Sequence, residues 1–118
     1  MYYLAKCKAL ANDNPFHVAA FCKKGRTIGV NSNRCSAKYR RYYSEAKHHA
    51  YRVHAEVDLI LRSPTVPEQI YVMRFLATGE PTMAKPCPHC QNFLRLRGVK
   101  RVRYTDWDGT WSTLELTP

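Results

Sequence analysis

The sequence predicts a single α/β domain spanning residues 1–118, with its helices and strands in the order αββαβαββ. Three observations lead to this prediction. The 118 residues are 45% hydrophobic and 24% charged, which suffices for one core and is typical of neither a disordered nor a membrane-embedded chain. Segments of helical and of alternating periodicity follow one another along the chain. Asp108-Gly109, near the end, is a strong signal for a β-hairpin.

The first half of the chain contains one predicted helix and two predicted strands. Residues 2–11 carry apolar side chains at roughly helical spacing, and Asn12-Asp13-Asn14-Pro15 ends this helix. Residues 17–22 and 27–31 are predicted strands, and Gly25 between them suits the positive φ of a hairpin turn. These two strands are therefore expected to be antiparallel neighbours.

The second half contains two predicted helices, three predicted strands and one loop. These are a helix over residues 53–61, a strand over 69–76, a loop over 77–85, a helix over 90–97, and strands over 100–105 and 111–116. Ser63-Pro64 ends the first of these helices and Gly98 ends the second. The last two strands are predicted to be antiparallel because residues 106–110, which join them, contain the hairpin signal Asp108-Gly109.

The charge of the chain is its most unusual property. Nineteen Lys and Arg against nine Asp and Glu give a formal net charge of +10. Such a surplus attracts anions, whether nucleotides, nucleic acid or membrane phosphates. Part of it lies between residues 32 and 51, where basic side chains alternate with tyrosines, and part lies between residues 95 and 103.

The N-terminal segment shows no sign of export or membrane insertion. Lys6 and Lys8 interrupt the apolar run that a signal peptide needs, and the longest uncharged stretches fall far short of the roughly 20 residues that span a bilayer. Five cysteines, an odd number, favour thiols or metal ligands in a reducing compartment. We therefore expect a cytoplasmic protein without a membrane partner. Cys7 and Cys22 lie on apolar faces and are predicted core residues.

Two short motifs suggest metal chemistry: His54-Ala55-Glu56 and Pro86-Cys87-Pro88-His89-Cys90, each at the start of a predicted helix. Catalytic zinc takes three nitrogen or sulfur ligands and keeps one position open. His54, Cys87 and Cys90 offer one nitrogen and two sulfurs, and the helix N-terminus favours thiolates. Glu56 is placed to transfer protons beside the metal rather than to bind it.

Three other interpretations of these motifs remain open. Cys87-x-x-Cys90 alone matches a dithiol redox motif, although the order of elements does not suit a thioredoxin-like unit. A structural zinc site usually has four ligands, and His89 or Cys35 offers a fourth. His54 is also compatible with a hydrogen-bonded core position. A catalytic zinc site is favoured over these alternatives because none of them explains a glutamate two residues after His54.

The two motifs and the order of elements resemble the zinc-dependent cytidine/deoxycytidylate deaminase superfamily, whose signature is H-x-E followed by P-C-x-x-C. The resemblance implies a three-layer α/β/α fold with a mixed five-stranded sheet. It implies that His54, Cys87 and Cys90 bind Zn²⁺, which activates a water. It also implies that Glu56 moves protons from that water to the ring nitrogen and the leaving amine during hydrolytic deamination.

Three further residues receive substrate-binding roles from this resemblance. Asn31 matches an asparagine that holds the sugar, and Ala55 matches a small residue against the base. Phe16 lies where the first strand begins near the pocket, in a position to stack on the substrate. The alternatives are a turn former at Asn31, a helix former at Ala55 and a core aromatic at Phe16.

The terminal hairpin resembles the branch of the superfamily that includes free cytidine deaminases and several toxin deaminases, which favours cytosine over adenine. A free nucleoside or nucleotide is the first substrate hypothesis, its phosphate held by one or more of Arg34, Lys38, Arg40 and Arg41. Single-stranded DNA or RNA is the second, because interleaved basic residues and tyrosines suit stacking and phosphate contacts. A binding or inactive member is the third.

Relatives in this branch often assemble so that a neighbour completes each pocket, and a homo-oligomer is therefore expected. Three aromatic residues near the end of the chain are interface candidates, with local core packing as the alternative. They are Tyr104, Trp107 and Trp111.

Overall fold

A mixed β-sheet with helices on both faces organises the chain. The computed structural model describes residues 2–11, 16–32, 39 and 53–116. In these residues the elements are α1 (Tyr2–Leu10), β1 (Val18–Phe21), β2 (Ile28–Val30), α2 (Ala55–Arg62), β3 (Gln69–Phe75), β4 (Pro81–Thr82), α3 (Pro88–Leu96), β5 (Arg101–Thr105) and β6 (Trp111–Glu115). The predicted α/β class is confirmed, and each predicted helix and strand is present with ends shifted by a few residues.

The strands lie in the order β2-β1-β3-β5-β6, with β4 paired to β3 outside this path. β1 is antiparallel to β2 and to β3, whereas β3 and β5 are parallel. β5 and β6 are antiparallel, as the Asp108-Gly109 turn predicts, and Gly109 has the positive φ of 85° that such a turn needs.

The sheet has six strands in the described part of the chain rather than the five predicted. The additional strand, β4, lies within the segment 77–85 that was predicted to be a loop. Its two residues, Pro81 and Thr82, pair with Phe75 and Arg74 of β3. Two residues are too few for an alternating pattern, and the proline is compatible only with an edge strand, so sequence periodicity does not detect it.

Alternation along the strands divides the core into two layers. In β3, Tyr71, Met73 and Phe75 pack on the side of α1, together with Ala19 and Phe21 of β1. On the other side lies the larger cluster, which includes Ile70, Val72 and Ala20 from the sheet, Leu59 from α2 and Leu94 from α3. The arrangement is the three-layer α/β/α fold that the sequence predicts.

Helix α1 buries a narrow stripe of small residues. Ala5 and Ala9, one helical turn apart, are 0% exposed. Cys7 lies two positions from each and is exposed, so the prediction that it belongs to the core was wrong. Cys22 is only half-buried. None of the helices in the described residues has the length and apolar character needed to cross a membrane.

Candidate active site

The two sequence motifs lie where two helices begin on the same side of the sheet. His54 is the N-cap of α2, and Cys87 is the N-cap of α3, with Pro88 following in the first turn. Proline is favoured there because it lacks the backbone N–H that the first turn leaves unpaired. Because α2 and α3 pack on one face of the sheet, their N-terminal ends bring His54, Cys87 and Cys90 together.

The geometry of this cluster fits a tetrahedral zinc ion. Nδ1 of His54 lies 3.3 Å from Sγ of Cys90 and 4.0 Å from Sγ of Cys87, and all three ligand atoms lie within 4.8 Å of one another. In a tetrahedral centre with ordinary zinc–nitrogen and zinc–sulfur bonds, the ligand atoms are about 3.5 to 3.8 Å apart. One imidazole nitrogen and two sulfurs are also a donor set that zinc prefers.

The three residues influence one another electrostatically. A hydrogen bond with Cys87 raises the pKa of His54 above its usual value. A hydrogen bond with Cys87, together with burial, raises the pKa of the Cys90 thiol. His89, between the cysteines, is exposed and does not belong to the ligand cluster. Cys35, the other suggested fourth ligand, lies outside the described residues.

Glu56 is a buried carboxyl group directly beside the cluster. It is only 4% exposed, although it stands in the first turn of α2. Burial raises its pKa, while the nearby charge of His54 and a hydrogen bond with Cys90 act in the opposite direction. A carboxyl group with these opposing influences is well suited to exchange protons.

A cavity of about 430 Å³ opens beside the cluster. Its volume lies within the range of small-molecule sites, about 300 to 1,000 Å³. Glu56 and Cys87 line this cavity. So do Phe16, Asn31 and Ala55, the predicted substrate-binding residues that the structure describes. The lining consists of Phe16, Val18, Asn31, Val53, His54, Ala55, Glu56, Arg74, Met83, Ala84, Lys85 and Cys87.

Asn31 is held at the end of β2 by contacts with β1. Its side chain is buried, and its Oδ1 accepts a hydrogen bond of 2.9 Å from the backbone N–H of Val18. The backbone N–H of Asn31 donates to the carbonyl of Val18 at 3.3 Å. These contacts fix the amide in the cavity wall.

Phe16 is held at the mouth of the cavity by an unusual backbone conformation in the next residue. His17 has a positive φ of 45°, and its Nδ1 lies 3.0 Å from the carbonyl of Ala9 in α1. The carbonyl of His17 accepts a hydrogen bond from the N–H of Phe75, which fixes this turn against β3. The Phe16 ring is 45% exposed, so it is not the core aromatic of the alternative interpretation.

Sequence reasoning gave no site role to six residues of the cavity wall: Val18, Val53, Arg74, Met83, Ala84 and Lys85. Arg74 was predicted only as part of a strand, although it has the same parity as Ile70 and Val72 and therefore lies on the same sheet face as the site. Met83 and Lys85 belong to the predicted loop 77–85. The proposed phosphate ligands Arg34, Lys38, Arg40 and Arg41 lie outside the described residues.

The aromatic residues near the C-terminal end have different environments. Tyr104 is buried in the core beneath α2 and α3. Trp111 packs edge-on against Tyr71, with a centroid distance of 5.5 Å. Trp107 is 71% exposed in the β5–β6 turn and is the interface candidate that remains accessible.

The chain is similar to the crystal structure of cytidine deaminase from Mycobacterium leprae, with a TM-score of 0.51 and 19% sequence identity. The similarity extends over 98% of this chain and 92% of the other. The chain therefore has a cytidine deaminase-like fold. No protein-family model matches the sequence, and neither does any curated protein.

Proposed function

We propose that this chain is a zinc-dependent deaminase that hydrolyses the exocyclic C–N bond of cytosine in a free nucleoside or nucleotide and releases ammonia. The observation that carries the proposal is the position of a buried glutamate, Glu56, beside the His54/Cys87/Cys90 cluster in one cavity. The cytidine deaminase-like fold supports the same assignment.

Zinc held by His54, Cys87 and Cys90 would supply the Lewis acidity that brings the pKa of a water to about 7. Glu56 accepts a proton from the attacking water, delivers it to the ring nitrogen and later protonates the leaving amine. Burial raises the pKa of Glu56.

The cavity wall offers a matching set of groups for the rest of the substrate. Ala55, between the metal ligand and Glu56, has a small side chain that leaves room for the flat base. Asn31, fixed by its hydrogen bond with Val18, offers an amide to a sugar hydroxyl, and Phe16 presents a ring in the same cavity wall. These assignments follow the deaminase pattern of the sequence and the location of the side chains.

A second candidate is deamination of cytosine within single-stranded DNA or RNA. It is favoured by α3, which carries Cys90 in its first turn and exposes Arg95 and Arg97 farther along. The guanidinium of Arg97 lies 5.2 Å from the centre of the Phe93 ring. Exposed cations and aromatic rings so near the metal cluster suit a strand that approaches the cavity.

Ammonia release by the zinc-loaded protein tests both candidates. The substrates are cytidine, deoxycytidine, their monophosphates, adenosine, and single-stranded DNA and RNA. We expect cytosine nucleosides or nucleotides to react, and the Glu56→Ala variant to lose about 10²- to 10⁴-fold in kcat while it retains zinc. Glu115→Ala, on the exposed edge of β6, is the matched control and should behave as wild type.

Two outcomes would contradict the proposal. Full activity in Glu56→Ala would exclude the role given to this carboxyl group. Zinc bound at one equivalent in Cys90→Ser with unchanged affinity would exclude the ligand set. If polynucleotides alone react, and binding weakens steeply with salt, the second candidate replaces the first.

A further inference from the structure

Arg74 places a positive charge in the wall of the candidate active site. It is the penultimate residue of β3, where its neighbours across the sheet are Val18 and Thr82. Its parity with Ile70 and Val72 directs it to the face of the sheet that α2 covers. The side chain lines the same cavity as His54 and Glu56.

The guanidinium of Arg74 has no carboxylate partner among the described residues. The ion pairs found there join Arg62 to Asp58, Lys100 to Glu68 and Arg101 to Glu115. Nε of Arg74 is buried and has no hydrogen-bond partner in the described part of the chain. The guanidinium carbon instead lies 4.9 Å from the centre of the Phe16 ring.

A half-buried guanidinium without a counter-ion is costly unless an anion binds beside it. Lys85 adds a second cation to the same wall, whereas Glu56 is the only acid in the described lining. A guanidinium placed over an aromatic ring carries its N–H groups in its own plane, where they can donate to an anion. These N–H groups match the bidentate geometry of a phosphate group.

We propose that Arg74, assisted by Lys85, binds a phosphate group attached to the cytosine substrate, so that the site selects a nucleotide over a nucleoside. This inference rests on the proposed deaminase function. A free monophosphate and a phosphate within a strand share this chemistry, and the experiment below separates them.

The test compares kcat/KM for cytidine, cytidine monophosphate and a short cytosine-containing oligonucleotide, and for the deoxy forms of each. Wild type should prefer a phosphorylated substrate. Arg74→Gln should raise KM for that substrate about 10- to 100-fold, as expected for loss of charge-assisted hydrogen bonds, and should change KM for cytidine much less. Arg74→Lys should retain part of the preference. Lys8→Gln removes an equal charge from the exposed side of α1, on the opposite face of the sheet, and should leave the preference intact.

Equilibrium binding of the same ligands to zinc-loaded Glu56→Ala gives a readout that needs no turnover. There the monophosphate should bind more tightly than cytidine, and the additional change Arg74→Gln should abolish the difference. If no substrate releases ammonia, the proposed deaminase function is wrong. The difference in binding between the monophosphate and cytidine still tests whether Arg74 binds phosphate. If Arg74→Gln does not fold, the binding of cytidine and of its monophosphate is compared in Lys85→Gln and Arg74→Lys instead.

Either of two results would overturn the inference. One is wild-type protein that binds and deaminates cytidine as well as its phosphorylated forms. The other is an Arg74→Gln variant that folds and weakens cytidine and its phosphorylated forms equally, which would show a structural role. Preference for the oligonucleotide over the monophosphate would support phosphate binding and assign it to a strand.

Discussion

Gly29 determines how closely β2 approaches α2, the helix that carries Glu56. A Cβ atom at this position would collide with the carbonyl of Ala55 and would lie 2.5 Å from the backbone nitrogen of Leu59. Both neighbours belong to the rigid backbone of α2, so no side-chain rotation relieves the collision. The absence of a side chain at residue 29 therefore sets the position of the metal-site helix.

We expect Gly29→Ala to lower the free energy of unfolding by about 1 to 3 kcal/mol, because α2 must move away from the sheet. The same displacement should weaken zinc affinity. Gly98→Ala is the control, since Gly98 has a positive φ of 98° but no heavy atom within 4 Å of an added Cβ. It should cost about 1 kcal/mol through backbone strain alone and leave zinc affinity unchanged. Denaturant unfolding and zinc titration measure both effects. Equal zinc affinities in wild type and Gly29→Ala would contradict this view of Gly29.

At the scale of elements, Asp58 joins α2 to its surroundings. Its buried carboxylate accepts hydrogen bonds from the backbone N–H of Val30 at 3.0 Å, the Tyr39 hydroxyl at 2.7 Å and Nε of Arg62 at 3.0 Å. Burial and the hydrogen bond to Asp58 raise the pKa of Tyr39 to about 12. One carboxylate thus connects α2, β2 and the described residue of the tyrosine-rich segment.

Removal of this carboxylate should be far more costly than removal of an exposed one. Asp58→Ala removes the carboxylate that accepts from Val30, Tyr39 and Arg62, and we expect a loss of about 3 kcal/mol in the free energy of unfolding. Glu115→Ala breaks an ion pair with Arg101 in which both side chains are about half exposed, and should cost about 0 to 1 kcal/mol. Urea denaturation of the two variants and wild type measures the difference. Similar losses in both variants would show that Asp58 does not anchor α2.

At the scale of the whole molecule, the sequence predicts the class of fold and the metal cluster because both depend on local patterns. Helical spacing, the Asp108-Gly109 turn signal and the interval between Cys87 and Cys90 are short-range signals. Burial of charged residues depends instead on contacts between distant segments. In the sequence Arg74 resembles a solvent-facing strand residue, but in the structure it is half-buried against the Phe16 ring. Tyr39 resembles a stacking residue, although it packs beside Val57 and Cys90.

The metal cluster also joins parts of the chain that are more than thirty residues apart. His54 is the N-cap of α2 and Cys87 is the N-cap of α3. In the native structure their ligand atoms lie within 4.8 Å of each other. Because an unfolded chain cannot hold these ligands together, zinc bound at this cluster would favour the native state and stabilise it by mass action. The two helices should therefore be fixed to each other more firmly when the metal is bound.

Removal of zinc by a chelator should consequently lower the Tm, and added zinc should restore it. Above saturation, each tenfold increase in free zinc adds about 1.4 kcal/mol to the free energy of unfolding, provided that the unfolded chain binds no zinc. Glu56→Gln, which keeps all three ligands, should show the same dependence, whereas Cys90→Ser should lose most of it. An unchanged Tm after removal of stoichiometrically bound zinc would mean that the metal binds elsewhere or contributes nothing to the junction between α2 and α3.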